Sequence, residues 1–314
     1  MSELVCPRDK TALRSEGDVL VCSGGHRYPV VDGVPVLVVD ELAPTQPGYW
    51  ASTHEVEQAR ERAAHVAAHP TLDPYVRELL VGTCGNLYRR ARLDRYPIPE
   101  LPLPPGEGRL FVELGSNWGR WSIAAAQKGY RVIGVDPSIA AVLAGRRIAE
   151  HLGVELELVV ADARALPFAD ASVDVVFSYS VLQHFAKADV RTALAEAGRI
   201  VRPGGTTCIQ MANAWGLRNL ALRARRRFAE ADGFGVRYWS PRELRRAWLE
   251  LVGPAVLRPD GYFTLNGQPS DRDLLPQPER AFVGASAALC ALARKLPPLT
   301  AVADSVQVWT GDAR

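Results

Sequence analysis

The sequence predicts an α/β fold: a mostly parallel sheet with helices on both faces, preceded by a small β unit and a helical segment. Three observations carry this. From Arg109 onward, strand-length runs of branched apolar residues alternate with helical stretches, the order that builds parallel sheets. The first run enters a glycine-bearing turn and the second ends in an aspartate. Upstream, residues 1–40 are short apolar runs broken by Gly24-Gly25 and Gly33, a hairpin texture.

A chain of 314 residues suits one large domain with an appendage, or two domains, and its 47% apolar content fills a sizeable core. Lys plus Arg (37) nearly balances Asp plus Glu (35), so net charge gives no argument for nucleic acid. No apolar run approaches the roughly 20 residues that span a bilayer, and no secretory segment opens the chain, so we expect a cytoplasmic protein without a membrane partner. Five scattered cysteines are too few for a disulfide scaffold, and Cys208 and Cys290 read as reduced core thiols.

The elements follow in order. Residues 1–40 form the small β unit. Residues 41–108 are a helical cap and linker. They hold a connector with Pro44 and Pro47, helix-compatible segments at 52–68 and 73–93, and a stiff Pro-rich stretch from Pro97 to Gly106. Residues 109–314 carry the α/β domain, with strands at Leu110–Leu114, Arg131–Val135, Glu155–Val160 and Val173–Ser178, and a last strand at Ser305–Trp309. A helix over Lys187–Val201 turns Val190, Leu194, Ala197 and Val201 to one face. Another starts at Pro241 behind Ser240 as N-cap, with Leu244, Ala247, Trp248 and Leu251 inward. A third places Phe282, Ala285, Leu289, Leu292 and Leu296 on an apolar stripe. An insert at about 213–240 carries Trp215, Phe234, Tyr238 and Trp239, as a pocket lining or a satellite core, beside arginines 223 and 225–227.

The strongest local signal is Glu113-Leu114-Gly115-Ser116-Asn117-Trp118-Gly119, directly after the first strand. There a strand turns sharply into a helix while its backbone approaches a ligand, and glycine permits both. The free amides of the helix N-terminus then face a polar ligand. Asp136-Pro137 closes the second strand, where a carboxylate can accept both hydroxyls of a ribose, and the third strand runs into Asp162-Ala163, placed for an adenine amino group.

These residues resemble class I S-adenosylmethionine-dependent methyltransferases. Glu113 to Gly119 looks like their first motif. The stretch from Asp162 through Asp174, and Arg199-Ile200-Val201-Arg202-Pro203-Gly204-Gly205, resemble the ubiquinone/menaquinone C-methyltransferases. The resemblance covers about residues 109–212 and implies a Rossmann-like, mostly parallel seven-stranded sheet. It also implies S-adenosylmethionine as cofactor and S-adenosylhomocysteine as product. Glu113, Gly115, Ser116, Asn117, Trp118 and Gly119 would lie along the methionine part. Asp136 with Pro137 would hold the ribose, and Asp162 with Ala163 the adenine. Ser178, Tyr179 and Ser180, at the fourth strand's end, would pass near the reaction centre. Asn117 stands where the family has a glycine, and its side chain tolerates left-handed backbone angles. A nicotinamide dehydrogenase is the rival in this fold, but Gly115-x-x-x-Gly119 lacks the glycine pair that admits a pyrophosphate.

Methyl transfer needs alignment more than acid–base chemistry, and a base helps only where the acceptor must lose a proton. His184 is the candidate base, with a packing role as the alternative, and Tyr179 is the second candidate, with a core or lid role as its alternative. At the N-terminus, Cys6-x2-Asp9 and Cys22-x3-His26 resemble two zinc knuckles with Asp9 replacing a cysteine. The unit resembles the zinc-ribbon activators of tRNA methyltransferases and the zinc site of rRNA guanine methyltransferases. That implies a structural zinc on Cys6, Asp9, Cys22 and His26. The expected acceptor is a small molecule. An RNA acceptor docked by the ribbon, or a non-catalytic cofactor-binding subunit, are the alternatives.

Overall fold

β5 (Leu110–Leu114) is buried at all five positions, as a strand covered on both faces must be. In the computed structural model, which describes residues 3–43, 72–73, 75–77, 80 and 84–311, this strand lies in the middle of a sheet. β6 (Arg131–Asp136) and then β7 (Glu157–Ala161) extend it in parallel on one side. β8 (Val173–Ser178) and β9 (Val201–Ala212) extend it in parallel on the other. Helices α1 (Arg120–Gln127), α2 (Ile139–His151) and α3 (Lys187–Ile200) connect them. The chain builds outward from β5 through β6 and β7, then crosses back to β8 on the other side of β5, so a crevice opens beyond the carboxyl ends of β5 and β8. β11 (Ser305–Thr310) runs antiparallel to β9, and β10 (Val256–Gly261) antiparallel to β11.

The two faces are filled by alternate residues of the same strands. Phe111, Val175 and Phe177 pack with Trp121 and Ala125 of α1. Val112, Leu114 and Val176 pack with Val190 and Leu194 of α3 and with Trp248 of α5 (Pro241–Leu251). Ser240 caps α5 through a reciprocal pair with Glu243, and Leu244, Ala247 and Trp248 are buried as the spacing predicts.

The sheet is larger and more mixed than seven parallel strands. β1 (Leu13–Ser15), β2 (Val19–Cys22), β3 (Arg27–Val31) and β4 (Val34–Leu37) form an antiparallel meander, and β4 then pairs in parallel with β7. The sheet thus has eleven strands among the described residues. The reason is an edge: β7 would otherwise offer unpaired backbone groups, and the fully buried Val34–Leu37 covers them. The Pro-rich stretch is packed rather than free: Leu101 and Leu103 are buried, and Lys128 Nζ donates to the Leu101 carbonyl at 2.8 Å.

Two helical expectations change. Helix α6 (Glu279–Lys295) buries Val283, Ser286, Cys290 and Ala293, one residue on from the expected stripe, while Phe282, Leu292 and Leu296 are about half exposed. Ser286 explains the rotation, because its hydroxyl accepts the Tyr262 N–H at 3.0 Å and holds a polar residue inward. Within 73–93, residues 86–90 form a 3-10 turn after Gly85. The segment 52–68 and the connector at Pro44 and Pro47 lie outside the described residues.

Candidate functional site

Three backbone features shape the turn after β5. Gly115 and Gly119 have φ of 74° and 83°, and Asn117 takes a left-handed φ of 48°. A Cβ on Gly115 would stand 2.3 Å from Val181 Cγ2, so this glycine permits close approach of two loops. The amides of Gly115 and Ser116 both donate to the Val135 carbonyl, tying the turn to β6. Asn117 steadies its own conformation by accepting the Trp118 N–H on Oδ1 at 2.9 Å. The Trp118 ring lies in the core beside Tyr96 instead of facing the crevice, so the backbone is what Trp118 offers there.

Two carboxyls lie at the ends of adjacent strands. Asp136 accepts the Asn117 N–H on Oδ2 and the Ser138 N–H on Oδ1, each at 2.9 Å. Burial raises its pKa to about 6 against the help of those two donors. Glu113 is 2% exposed, takes a 2.6 Å hydrogen bond from the Ser122 hydroxyl, and burial lifts it to about 8. Neither has a salt-bridge partner among the described residues, and Ser116 Oγ is buried with no hydrogen-bond partner. Desolvated acids with no cation in direct contact are costly, even with Arg120 near enough to ease Glu113, so this cradle suits a ligand bringing hydroxyl donors and positive charge.

Asp162 is also buried, but Arg164 grips its carboxylate through Nε at 3.0 Å and a terminal nitrogen at 2.8 Å. Arg164 also reaches Asp189 at 3.0 Å and the Ala43 carbonyl at 2.6 Å. Arg164 had no sequence signal, since arginines are common in loops. Oδ1 of Asp162 also takes the Arg164 backbone N–H at 2.8 Å, so the clamp orients Asp162 and leaves a lone pair on Oδ2 for a further donor. Ala163 and Pro137 follow the two acids as backbone neighbours.

At the end of β8, the Ser178 hydroxyl donates to the Leu114 carbonyl at 2.9 Å, bracing the crevice. Ser180 takes φ 62°, donates its N–H to Gln210 Oε1 at 2.8 Å, and accepts Gln183 Nε2 on its hydroxyl at 2.9 Å. Tyr179 is buried against Trp121. Its hydroxyl donates to Asp260 Oδ2 at 2.8 Å and accepts Gln268 Nε2 at 2.7 Å. Burial and Asp260 push its pKa well up, so it stays a phenol, engaged with structural partners.

His184 ends a 3-10 turn over Leu182–His184. Its ring stacks on Phe234 at 4.0 Å, and Nδ1 lies 2.8 Å from the Phe234 carbonyl. That carbonyl can only accept, which assigns the proton to Nδ1 and leaves Nε2 unprotonated, accepting a long 3.4 Å contact from Gln183 Nε2. Burial lowers its pKa, keeping the ring neutral at pH 7. His184 lines a cavity of about 400 Å³ with Leu87, Gln183, Arg218, Val236 and Phe263. Arg218 has no carboxylate at ion-pair distance among the described residues.

The N-terminal unit gathers a third constellation. One ligand atom from each of Cys6, Asp9, Cys22 and His26 lies within 4.8 Å of all the others. Asp9 Oδ2 is 3.2 Å from Cys22 Sγ and from His26 Nδ1, and His26 Nδ1 is 3.3 and 3.5 Å from Cys22 and Cys6 Sγ. Tetrahedral bonds of about 2.0–2.3 Å give ligand separations of about 3.3–3.8 Å, close to these distances. Asp9 Oδ1 is held by the Thr11 amide and hydroxyl, which turns Oδ2 toward the group.

Residues 111–205 match the family model described as "Methyltransferase domain". Over 141 residues the chain is 37% identical to an uncharacterized 37.1 kDa protein of a Streptomyces fradiae transposon, covering 44% of this chain and 38% of that protein. It is 31% identical over 183 residues to the malonyl-[acyl-carrier protein] O-methyltransferase of Xylella fastidiosa, covering 57% and 54%. It is 33% identical over 139 residues to the demethylmenaquinone methyltransferase of Thermus thermophilus, covering 43% and 58%. The chain therefore spans about half the length of the curated relatives it matches. A Haloferax volcanii methyltransferase solved with its Trm112 activator aligns at 21% identity and a TM-score of 0.46, over 75% of this chain and 92% of that one.

Proposed function

We propose that the protein transfers a methyl group from S-adenosylmethionine to a small-molecule acceptor held in the cavity beside His184. The observation that carries this is the pair of buried carboxyls, Glu113 and Asp136, without a salt bridge among the described residues, around a turn with three left-handed residues. When bound, the cofactor supplies an activated methyl on a sulfonium. The chain's own residues then do the rest. Asp136 accepts the ribose hydroxyls, and the backbone of the 115–119 turn, its N–H groups already engaged within the protein, packs along the methionine part. Glu113, neutral at pH 7 in the free protein because burial lifts it to about 8, would ionise as the cofactor's positive charge arrives, and Asp162, oriented by Arg164, takes the adenine amino group. His184 Nε2 receives the acceptor's proton where one must leave, while Phe263, Leu87 and Val236 give the cavity apolar lining. Calorimetry with S-adenosylmethionine, followed by methyl-transfer assays against small acceptors, tests the reading. Of the named relatives, one acts on a carrier-bound acyl group and one on a quinone precursor, and a small organic acceptor suits both.

The N-terminal cluster supports a second assignment in the same protein: one zinc ion on Cys6, Asp9, Cys22 and His26, stapling a β meander that has little core of its own. Metal analysis of the purified protein tests it, with about one zinc per chain expected.

A further inference from the structure

Helix α4 (Leu217–Arg225) is turned outside in. Its one buried side chain is Asn219, whose amide donates to the carbonyls of Asn213 and Asp304 at 2.9 and 2.7 Å. Leu217 and Leu220, about 160° and about 100° around the helix from it, are 53% and 45% exposed. A water-facing helix ordinarily shows the reverse pattern. The exposure continues along the chain. Of the eleven large apolar side chains exposed among the described residues, five (Trp215, Leu217, Leu220, Phe228 and Phe234) lie between 215 and 234.

The same stretch carries five arginines against Glu230 and Asp232. Arg225, Arg226 and Arg227 are exposed and make no ion pair among the described residues. An apolar surface flanked by unpaired cations fits an interface between lipid tails and anionic headgroups. Nucleic acid would be served by the arginines and the aromatic rings but would leave Leu217 and Leu220 without a partner. Arg218 and Val236 connect the patch to the cavity, because both line it.

We infer that the α4 surface docks on an anionic lipid surface and that the acceptor enters the cavity from that interface. Docking stands on its own, whereas the acceptor's route rests on the proposed function. No helix among the described residues is long and apolar enough to cross a membrane, and a peripheral contact needs none.

Vesicle co-sedimentation of the full chain tests docking, using phosphatidylcholine with and without phosphatidylglycerol. Binding is expected only to the anionic vesicles and is expected to weaken with added salt. Replacing Arg225, Arg226 and Arg227 by glutamine should weaken it roughly 100-fold, at about tenfold per 1.4 kcal/mol and about 1 kcal/mol per charge. Leu217→Asp with Leu220→Asp should abolish it. Both variants should keep the parent's thermal unfolding and S-adenosylmethionine affinity. Indifference to both vesicle types, or equal binding to both, overturns the inference. So does binding of single-stranded RNA or of polyglutamate without vesicle binding, which would reassign the patch to a nucleic acid or an acidic protein. Loss of cofactor affinity in the parent protein would count against the methyltransferase reading and not against docking.

Discussion

Replacing Asp136 with alanine should damage cofactor binding far more than stability. In the folded chain each carboxylate oxygen already holds one backbone N–H. Alanine strands those donors, at about 1–3 kcal/mol each. It also removes a carboxyl whose pKa stands at about 6 instead of 3.8, and whose ionised form is therefore disfavoured by about 3 kcal/mol at neutral pH. These effects oppose each other, so the melting temperature should move by only a few degrees. Binding has no such offset. Two ribose hydroxyls lose charge-assisted hydrogen bonds of about 1.5–3 kcal/mol each, which weakens the dissociation constant roughly 10²–10⁴-fold. Calorimetric titration alongside thermal unfolding separates the two. The pH dependence gives an independent check. The ligand prefers the ionised acid, so affinity should be flat above about pH 6 and fall about tenfold per unit below it. Stability of the free protein runs the other way: a raised acid pKa favours the folded state as pH drops from above 6 toward 3.8. An alanine variant that binds within threefold of the parent, or a parent whose affinity ignores pH, would refute the assignment of Asp136.

Three further outcomes are expected. His184→Ala should cost roughly 10²–10⁴ in rate on an acceptor that must lose a proton, with cofactor affinity kept; a near-normal rate would return the ring to packing on Phe234. Its lowered pKa places the acid limb of the parent's rate profile below 6.5, and a limb above that value would point to another base. Tyr179→Phe should lower stability by about 1–3 kcal/mol, because Asp260 and Gln268 lose a buried partner, yet leave the rate constant within a few-fold, as measured by unfolding and steady-state kinetics. Cys22→Ser should reduce bound zinc to a trace by elemental analysis and lower the unfolding temperature, whereas Asp9→Cys should tighten zinc in a chelator competition. Equal metal content in parent and Cys22→Ser would remove the cluster as its site.

The sequence carried the α/β core because local patterning and tertiary burial agree there. Leu110–Leu114 and Val173–Ser178 are continuous apolar runs, and both fall at their expected bounds. The turn was legible because only glycine, or Asn117, suits its backbone. What stayed hidden depends on contacts between distant segments. The pairing of Val36 with Val160 is set by an open sheet edge, which periodicity does not record. The rotation of α6 follows from one hydrogen bond between Ser286 and Tyr262. Position left Tyr179 open to a reacting or a core role, and only the folded chain brings Asp260 and Gln268 to its hydroxyl. Spacing alone grouped Cys6, Asp9, Cys22 and His26, and the folded chain brings them together, but Thr11's hold on Asp9 appears only in three dimensions.

The most direct test of the central claim is calorimetric titration of the purified protein with S-adenosylmethionine, S-adenosylhomocysteine and NADH. One-to-one binding of both adenosyl ligands in the micromolar range is expected, with NADH silent. Binding of NADH alone, or silence from all three ligands in a folded sample, would contradict it.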